Sequence, residues 1–343
     1  DARVRRVLWV GEQARSRQQA GGRRAEREVR RRHEHLARVR LHAVKVHARR
    51  LRAHEQTPSA AHHHWSLQVM LEQPDLVSAV HRDFCEAGAA VASLNTYAIT
   101  HMRLARGEGL PPLNSLLDRA RDLAQQGIDN SGRPDTALVA SLPPLVASYR
   151  PDTQLPLDQA IREYRELIEL QAERVDGFLA ETIPSIAEAI AVLTAADQAG
   201  VRIMLGLTVS DEDGQLLRSE EPLMQALEAI SQFNPLAVVI NCSKPEAVSQ
   251  AIPILQQSHF AFGAYANGFT AVGALEPGGV VDVLEARRDL DPEQYAQFAA
   301  EWLDAGATVI GGCCEVGPDH IKALSTLLQS RGHEQLAWGD LAA

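Results

Sequence analysis

The stretch that decides the fold is Ala307-Thr-Val-Ile-Gly-Gly-Cys-Cys-Glu-Val-Gly-Pro-Asp-His320, near the end of a 343-residue chain. Its opening run, Thr308-Val-Ile310, is β-branched and apolar, which predicts a buried strand that Gly311-Gly312 ends. Gly317-Pro-Asp319 then predicts the start of a helix. Cys313-Cys314 therefore follow the carboxyl end of a strand, the edge at which α/β folds carry their chemistry.

A third cysteine follows another apolar strand pattern. Leu236-Ala-Val-Val-Ile240 predicts a buried strand, and Asn241-Cys242-Ser243 comes directly after it. Zinc prefers thiolate ligands, and three protein ligands with an open fourth position are typical of a catalytic zinc site. The pattern therefore favours zinc over the alternative that Cys313-Cys314 is a packing element with inert thiols. Cys85 lies on a predicted amphipathic helix, and we interpret it as a core residue.

The cysteine motif resembles that of a known family. Gly311-Gly-Cys-Cys-Glu-Val-Gly-Pro-Asp-His-Ile321, with Asn241-Cys242 upstream, resembles the zinc-dependent homocysteine S-methyltransferases. The resemblance covers residues 65–330 through further segments: Trp65-Ser66, Leu71-Glu-Gln-Pro-Asp-Leu-Val77, Asn95-Thr-Tyr97, Glu181-Thr-Ile-Pro184 and Tyr265-Ala-Asn-Gly268. It implies a (β/α)8 TIM-type barrel, Zn²⁺ as cofactor with Cys242, Cys313 and Cys314 as its ligands, and methyl transfer to homocysteine that gives methionine.

The strand pattern alone predicts a parallel sheet that lacks one strand of such a barrel. Short apolar runs alternate with helical patterns from Trp65 onward, as in βαβ units. We count seven strands, whereas the family begins with an eighth that ends in an Asp-Gly-Gly-Met-Gly turn. No such turn precedes Trp65. We therefore expect the first strand to be missing or replaced by an unrelated Arg-rich segment, with residues 7–10 or 41–46 as the two stretches that could fill the gap.

The N-terminal segment differs in charge from the remainder. Residues 1–54 contain sixteen Arg and one Lys against five acids, a balance of +12 that leaves −22 for the rest of a chain whose net charge is −10. We divide the chain into a basic segment at 1–60, a homocysteine-binding barrel domain at 61–331 and a C-terminal tail at 332–343. The segment could be a nucleic-acid-binding arm, a transit peptide or a disordered stretch. We favour a fourth interpretation, that it does not represent the natural reading frame of the gene.

Several polar residues at predicted strand ends are candidates for substrate contact. Glu181 is expected to hold the homocysteine ammonium group, with a helix N-terminal acid as the alternative interpretation. Asn95 and Asn267 are substrate-binding candidates that could equally cap loops. His320 is expected to lie behind the cysteines or on the surface of its helix and not to bind the metal. No catalytic residue is assigned outside the zinc site.

The methyl donor has three candidates. We expect no cobalamin or folate domain in 343 residues, so the candidate methyl donors are those of the family's single-domain members. The sequence favours a sulfonium donor, S-methylmethionine or S-adenosylmethionine, with betaine as an alternative. Sulfonium groups bind aromatic faces, and Tyr97, Tyr149 and Tyr265 are the tyrosines near strand ends.

Composition bounds the remaining possibilities. No apolar run approaches the length of a membrane span, and the four cysteines suit a reducing compartment. We therefore expect a cytoplasmic protein that acts on small molecules, with neither membrane nor nucleic acid as a partner. The competing expectation is a catalytically inactive zinc-binding barrel, or a mis-framed product that cannot close around its substrate.

Overall fold

The structure is a computed structural model, and it describes residues 38–43, 65–272, 284–336 and 338. Residues 38–43 are described by their backbone alone. The expectations for residues 1–37 and 44–60, including residues 7–10 as a possible strand, lie outside this range.

A parallel sheet forms the centre of the molecule. Seven of its strands follow one another in sequence order, each hydrogen-bonded in parallel to the next. They are β2 (Val91–Ser93), β3 (Ala137–Leu142), β4 (Gly177–Ile183), β5 (Ile203–Leu207), β6 (Val238–Asn241), β7 (Phe262–Tyr265) and β8 (Val309–Gly311). This order confirms the predicted α/β barrel architecture and its seven sequence-predicted strands.

An eighth strand, β1 (Arg38–Ala43), comes from the Arg-rich segment. It pairs in parallel with β8, where Leu41 is in register with Ile310, and on its other side with β2, where His42 is in register with Val91. The eight strands therefore close into a ring, which leaves none of them with an open edge. The Arg-rich segment thus supplies the strand that its composition did not predict, and this strand overlaps residues 41–46, one of the two stretches considered.

Helices cover the outside of the sheet, as parallel strands require. Two helices precede β2, and the loops and helices between later strands follow the βα order of a barrel. The ten helices of the described ranges are α1 (Trp65–Glu72), α2 (Pro74–Glu86), α3 (His101–Leu104), α4 (Leu113–Asp129), α5 (Leu157–Glu169), α6 (Ile186–Gln198), α7 (Leu223–Ala229), α8 (Pro245–Leu255), α9 (Pro292–Asp304) and α10 (Pro318–Ser330).

The core has two layers because both faces of each strand are buried. One layer lies between sheet and helices and includes Phe178 and Ile310. The other fills the barrel interior and includes Val139, Leu179 and the three cysteines at the strand ends. Because strand residues alternate between the two faces, near-continuous apolar runs such as those of β4 and β6 are buried on both sides.

The described part of the C-terminal tail, residues 332–336 and 338, packs onto the end of the barrel opposite the cysteines. Its short strand β9 (Glu334–Gln335) pairs with β1. Trp338 is buried against the start of β4, where any side chain at Gly177 would overlap its indole ring. Residues on the C-terminal side of the predicted boundary at 332 therefore contact strands β1 and β4 of the barrel. No helix within the described ranges has both the length and the apolar character needed to cross a membrane.

Candidate active site

The structure gathers the three cysteines predicted as metal ligands. Cys242 follows β6, and Cys313 and Cys314 follow β8; their sulfur atoms all lie within 4.8 Å of one another. All three side chains are buried, and none is more than 5% exposed. Cys242 and Cys313 are joined by a disulfide bond, and the Sγ of Cys314, which is outside that bond, lies 3.7 Å from the Sγ of Cys242.

Backbone hydrogen bonds between neighbouring strand ends hold the cysteines together. The amide of Cys242 donates to the carbonyl of Tyr265 at 3.3 Å, and the amide of Cys313 donates to that of Ala266 at 2.8 Å. Gly268 returns toward β8 and donates to the carbonyl of Cys314 at 2.8 Å. The loop after β7 therefore lies between the two cysteine loops and fixes their separation.

The cysteine loops contain strained or restricted backbone. Cys242 has φ 49° and Glu315 has φ 66°, values in the left-handed region that non-glycine residues rarely adopt. At Gly312 a Cβ atom would lie 2.0 Å from Cγ1 of Val316, so only glycine allows this turn. The glycine before Cys313 is thus required by its packing against Val316.

The donor set fits a zinc ion in its chemistry. Three sulfur donors from two loops, buried and mutually within reach, match the soft ligands that zinc prefers. Both atoms of the disulfide must be reduced before they can act as thiolate ligands, because metal binding requires the deprotonated thiol. The three cysteines therefore form a candidate zinc site in the reduced protein.

Glu181 lies in β4 and points into a polar network at the same end of the barrel. The side chain is buried, and its Oε1 accepts a short hydrogen bond from Ser141 Oγ of β3. Glu181 precedes Thr182, whose φ of 63° is also in the left-handed region. Because β4 continues to Ile183, Glu181 belongs to the strand and not to the first turn of α6, which favours a ligand role over the alternative interpretation.

Asn241 connects β4 with the cysteine loop. Its Oδ1 accepts from the Thr182 amide at 2.8 Å, and its Nδ2 donates to Thr182 Oγ1 at 3.2 Å. The amide side chain occupies space above Gly206 of β5, where a Cβ atom would lie 2.9 Å from Asn241 Oδ1 and 3.0 Å from the Tyr265 hydroxyl. Burial, and then the nearby Glu181 carboxylate, raise the pKa of Tyr265 well above its usual value, so its phenol stays neutral.

The two asparagine candidates differ in their surroundings. Asn95 Nδ2 donates to the carbonyl of Ser66 at 3.1 Å, which ties the loop after β2 to α1. Asn267 is completely buried, and its Oδ1 accepts from the Phe269 amide, whereas its Nδ2 has no hydrogen-bond partner among the described residues. A buried donor without a partner is costly. Asn267 is therefore the better candidate for contact with a bound ligand.

His320 and Cys85 lie outside the cysteine cluster. His320 Nδ1 accepts from the Gly317 amide at 3.2 Å, and its Nε2 faces the carbonyl of Leu290 at 3.3 Å. This places the imidazole at the first turn of α10, behind the cysteines. Cys85 is buried on α2 within the layer between helices and sheet.

Two tyrosines form part of the rim around the site. The Tyr97 hydroxyl lies 2.6 Å from Ser148 Oγ, which joins the loops after β2 and β3. Tyr149 follows with φ 59° and packs against the barrel-interior residues that include the cysteines. Burial, and then the Cys314 sulfur, raise the pKa of Tyr149 well above its usual value. Tyr149 is therefore a neutral aromatic surface near the cysteine edge, the end of the barrel that carries Cys242, Cys313 and Cys314.

Sequence reasoning missed one buried carboxylate that supports this rim. Glu188 of α6 accepts from the Leu145 amide at 3.0 Å and from the Tyr164 hydroxyl at 2.9 Å. Burial raises its pKa. Glu188 thereby anchors the loop that carries Tyr149. Its only sequence signal is Ser185 three residues earlier, since Ser185 Oγ accepts from the Glu188 amide as a helix cap.

The sequence model of the homocysteine S-methyltransferase family matches residues 47–328. The Homocysteine S-methyltransferase 1 of Brassica oleracea var. italica is 30% identical over 289 residues, which are 78% of this chain and 87% of the relative. The Homocysteine S-methyltransferase YbgG of Bacillus subtilis (strain 168) is 23% identical over 295 residues, 78% of this chain and 88% of YbgG.

Among solved structures, the metallated form of the homocysteine methyltransferase MmuM from Escherichia coli has the same fold, with a TM-score of 0.69 at 22% identity. The similarity covers 84% of this chain and 96% of MmuM. The residues matched by the family model include strands β2 to β8 and both cysteine loops. The chain therefore belongs to the homocysteine S-methyltransferase family.

Proposed function

We propose that this chain transfers a methyl group from a sulfonium donor, S-methylmethionine or S-adenosylmethionine, to homocysteine bound at a zinc ion, and that methionine is the product. The single observation that carries the proposal is the convergence of Cys242, Cys313 and Cys314 at one strand edge. Membership of the homocysteine S-methyltransferase family supports the reaction class.

The three cysteines would hold the zinc ion as thiolates. When bound, zinc would supply a site where a thiol loses its proton near neutral pH and becomes a nucleophile. Because Cys242, Cys313 and Cys314 are buried, water is largely excluded around them, and attraction between the thiolates and a cation is strengthened there. Three anionic ligands also keep the local charge negative, which favours approach of a cationic methyl donor.

Glu181 and Asn267 are positioned to orient the amino acid part of homocysteine. The Glu181 carboxylate is an acceptor for the substrate ammonium group, and Ser141 fixes its orientation. The Asn267 Nδ2 group is a donor suited to the substrate carboxylate, since no described residue accepts from it. Asn95 is assigned a lesser role because its amide already binds Ser66.

The aromatic rim favours a donor that carries a positive charge. Tyr97 lies in the loop after β2 and Tyr149 in the loop after β3, and burial raises the pKa of Tyr149 so that its ring stays neutral. A sulfonium group is attracted to such ring faces. Transfer of its methyl group as a cation equivalent to the homocysteine sulfur breaks one C–S bond, forms another, and releases a neutral thioether.

The decisive experiment measures metal and activity together. The full chain is reduced, loaded with zinc and incubated with homocysteine and each of S-methylmethionine, S-adenosylmethionine and betaine. We expect about one zinc per chain and methionine formation with a sulfonium donor. Zinc binding without turnover on any donor would instead support the second candidate, an inactive zinc-binding barrel. That candidate rests on the absence of the family's glycine-rich turn before Trp65.

A further inference from the structure

A buried ion pair lies in the loop after β5, close to the cysteines. Arg218 Nη2 is 2.8 Å from Asp211 Oδ1, and Arg218 Nη1 is 3.0 Å from Asp211 Oδ2. Their side chains are 11% and 7% exposed. A comparable surface pair, Arg331 and Asp304, is 31% and 71% exposed. A buried pair with this two-pronged geometry is costly to assemble, and removing one partner is strongly destabilising.

The pair is connected to the loop that carries Cys242. Asp211 Oδ1 accepts from the backbone amide of Lys244, two residues after Cys242, at 3.2 Å. Thr208, whose carbonyl accepts from the Arg218 amide, directs its Oγ1 to the carbonyl of Cys242 at 3.3 Å. The ion pair and Thr208 therefore link the loop after β5 to the loop after β6 at two points, the carbonyl of Cys242 and the amide of Lys244.

The same guanidinium group contacts Tyr149. Arg218 Cζ lies 5.3 Å from the centroid of the Tyr149 ring, within the distance of a cation–π contact. Tyr149 itself has a left-handed backbone, and its ring packs against the barrel-interior cluster that contains Cys314. Arg218 thus joins an aromatic ring from the loop after β3 to the two loops that hold the cysteine edge.

Asp211 also neutralises the positive charge that Arg218 brings to the Tyr149 ring. An unpaired guanidinium group beside Tyr149 would repel a cationic substrate at the same ring. With Asp211 bound through both oxygens, the pair carries no net charge, so Arg218 can brace the ring without opposing a second cation. The ion pair therefore makes the rim rigid without adding net charge, so the thiolates determine the electrostatic potential at the site.

We propose that Arg218, held by Asp211, is a positioning residue that fixes Tyr149 beside the cysteine site and thereby forms part of the binding site for the sulfonium methyl donor. The proposal rests on the proposed function, since it concerns the donor of that reaction. Arg218 touches neither the sulfur atoms nor the transferred methyl group; it acts through the ring of Tyr149 and the loop after Cys242.

The test compares Arg218→Lys, Tyr149→Leu and the double variant with the zinc-loaded wild type. Lysine keeps the charge but lacks the flat two-pronged group. We expect each single variant to raise KM for S-methylmethionine roughly tenfold, with KM for homocysteine and zinc content within about twofold. The double variant should be no worse than the single ones, because both remove the same contact. Tyr149→Phe, which retains the ring, should restore donor KM to near the wild-type value.

Arg331→Lys, at the exposed pair, serves as the matched control and should leave both KM values unchanged. An unchanged donor KM in Arg218→Lys, or additive effects in the double variant, would overturn the proposal. Equal rises in KM for both substrates, or parallel loss of zinc, would also overturn it by showing a general structural role. If the wild type itself transfers no methyl group, the proposed function fails; the thermal unfolding midpoints of Arg218→Lys, Tyr149→Leu and the double variant then still decide whether Arg218 and Tyr149 are coupled.

Discussion

Strands β8 and β1 are hydrogen-bonded to each other, yet their sequences have opposite characters. In β8, Val309 and Ile310 are completely buried, one toward the barrel interior and the other toward the helices. In β1, the sequence Arg-Val-Arg-Leu-His-Ala places a basic residue or histidine at every second position. A strand inside a closed parallel barrel normally has apolar residues on both faces. The place of β1 in the ring is shown by its backbone pairing with β8 and β2, whereas that of β8 also follows from the apolar pattern of its own sequence.

The largest expected difference between the two strands is chemical, because the cysteines Cys313 and Cys314 follow β8. Cys313→Ser replaces a soft ligand with a hard one, so we expect loss of zinc and at least a roughly thousandfold fall in kcat/KM for methyl transfer. Metal analysis of the reduced protein and a methionine assay measure both. Cys85→Ser is the matched control and should keep its zinc. Full activity in Cys313→Ser would remove the metal site from the mechanism.

The contribution of β1 to stability can be measured directly against that of β8. Leu41 and Ile310 are in register, so proline at either position removes a hydrogen bond of the same ladder. We expect Leu41→Pro to lower the free energy of unfolding by about 3 kcal/mol. Ile310→Pro should lower it by at least as much, because Ile310 is completely buried and its side chain is lost together with the hydrogen bond. Urea unfolding followed by circular dichroism gives both values. A loss below about 0.5 kcal/mol for Leu41→Pro would show that β1 is dispensable to the barrel.

The pH dependence of stability tests whether water reaches the layer between α2 and β2, the other strand that pairs with β1. His81 of α2 is buried, and its Nε2 has no hydrogen-bond partner among the described residues. Burial lowers its pKa to about 4, below the unfolded value near 6.5. The native state therefore favours the neutral ring; its contribution is complete above pH 6.5 and is lost as the pH falls toward 4.

Between pH 7 and pH 5 this single group should cost about 2 kcal/mol of unfolding free energy. Urea denaturation of the wild type and of His81→Asn at both pH values measures the difference. The variant should be less sensitive to pH by that amount. Equal pH dependence in His81→Asn and the wild type would show that His81 is hydrated.

The smallest effect is expected at Gly206, whose lack of a side chain leaves room for Asn241 and Tyr265 beside the cysteines. Gly206→Ala places a methyl group against Asn241 and Tyr265, so Asn241 must shift its hold on Thr182. We expect about 1–2 kcal/mol of destabilisation and roughly a tenfold lower kcat/KM. Gly200→Ala is the control, because it strains a left-handed glycine in open space far from the cysteines and should lower stability without changing kcat/KM. Unchanged kinetics in Gly206→Ala would separate Asn241 from the site geometry.

The sequence was informative where local pattern and burial agree. The strands β2 to β8 were predictable because each is a short apolar run followed by turn residues, and the cysteine cluster was predictable because parallel strands end at one edge. The disulfide between Cys242 and Cys313 was not predicted; it follows from the close approach of two sulfurs on neighbouring loops.

Other features depend on contacts between distant positions and have no local signal. Strand β1 is specified by the gap between β8 and β2, and its alternating basic residues oppose the usual pattern of a buried strand. Arg218 and Asp211 lie in a loop whose composition resembles any solvated turn, and their burial arises only when the loops after β5, β6 and β3 meet. Trp338 is recognisable as buried only once Gly177 is known to leave room for it.

The left-handed backbones at Tyr149, Thr182, Cys242 and Glu315 have a consequence for protein engineering. Each holds a non-glycine residue in a conformation that costs on the order of 1 kcal/mol, and together they encircle the cysteine edge. The rest of the barrel must compensate for that cost, so the chain carries less thermal tolerance than its core alone would provide. Glycine substitutions at Thr182 and Glu315, which are not proposed zinc ligands, would raise thermostability while loosening the backbone that holds the cysteine loops. A selection for heat resistance alone would therefore favour variants with a higher unfolding temperature and a lower catalytic rate.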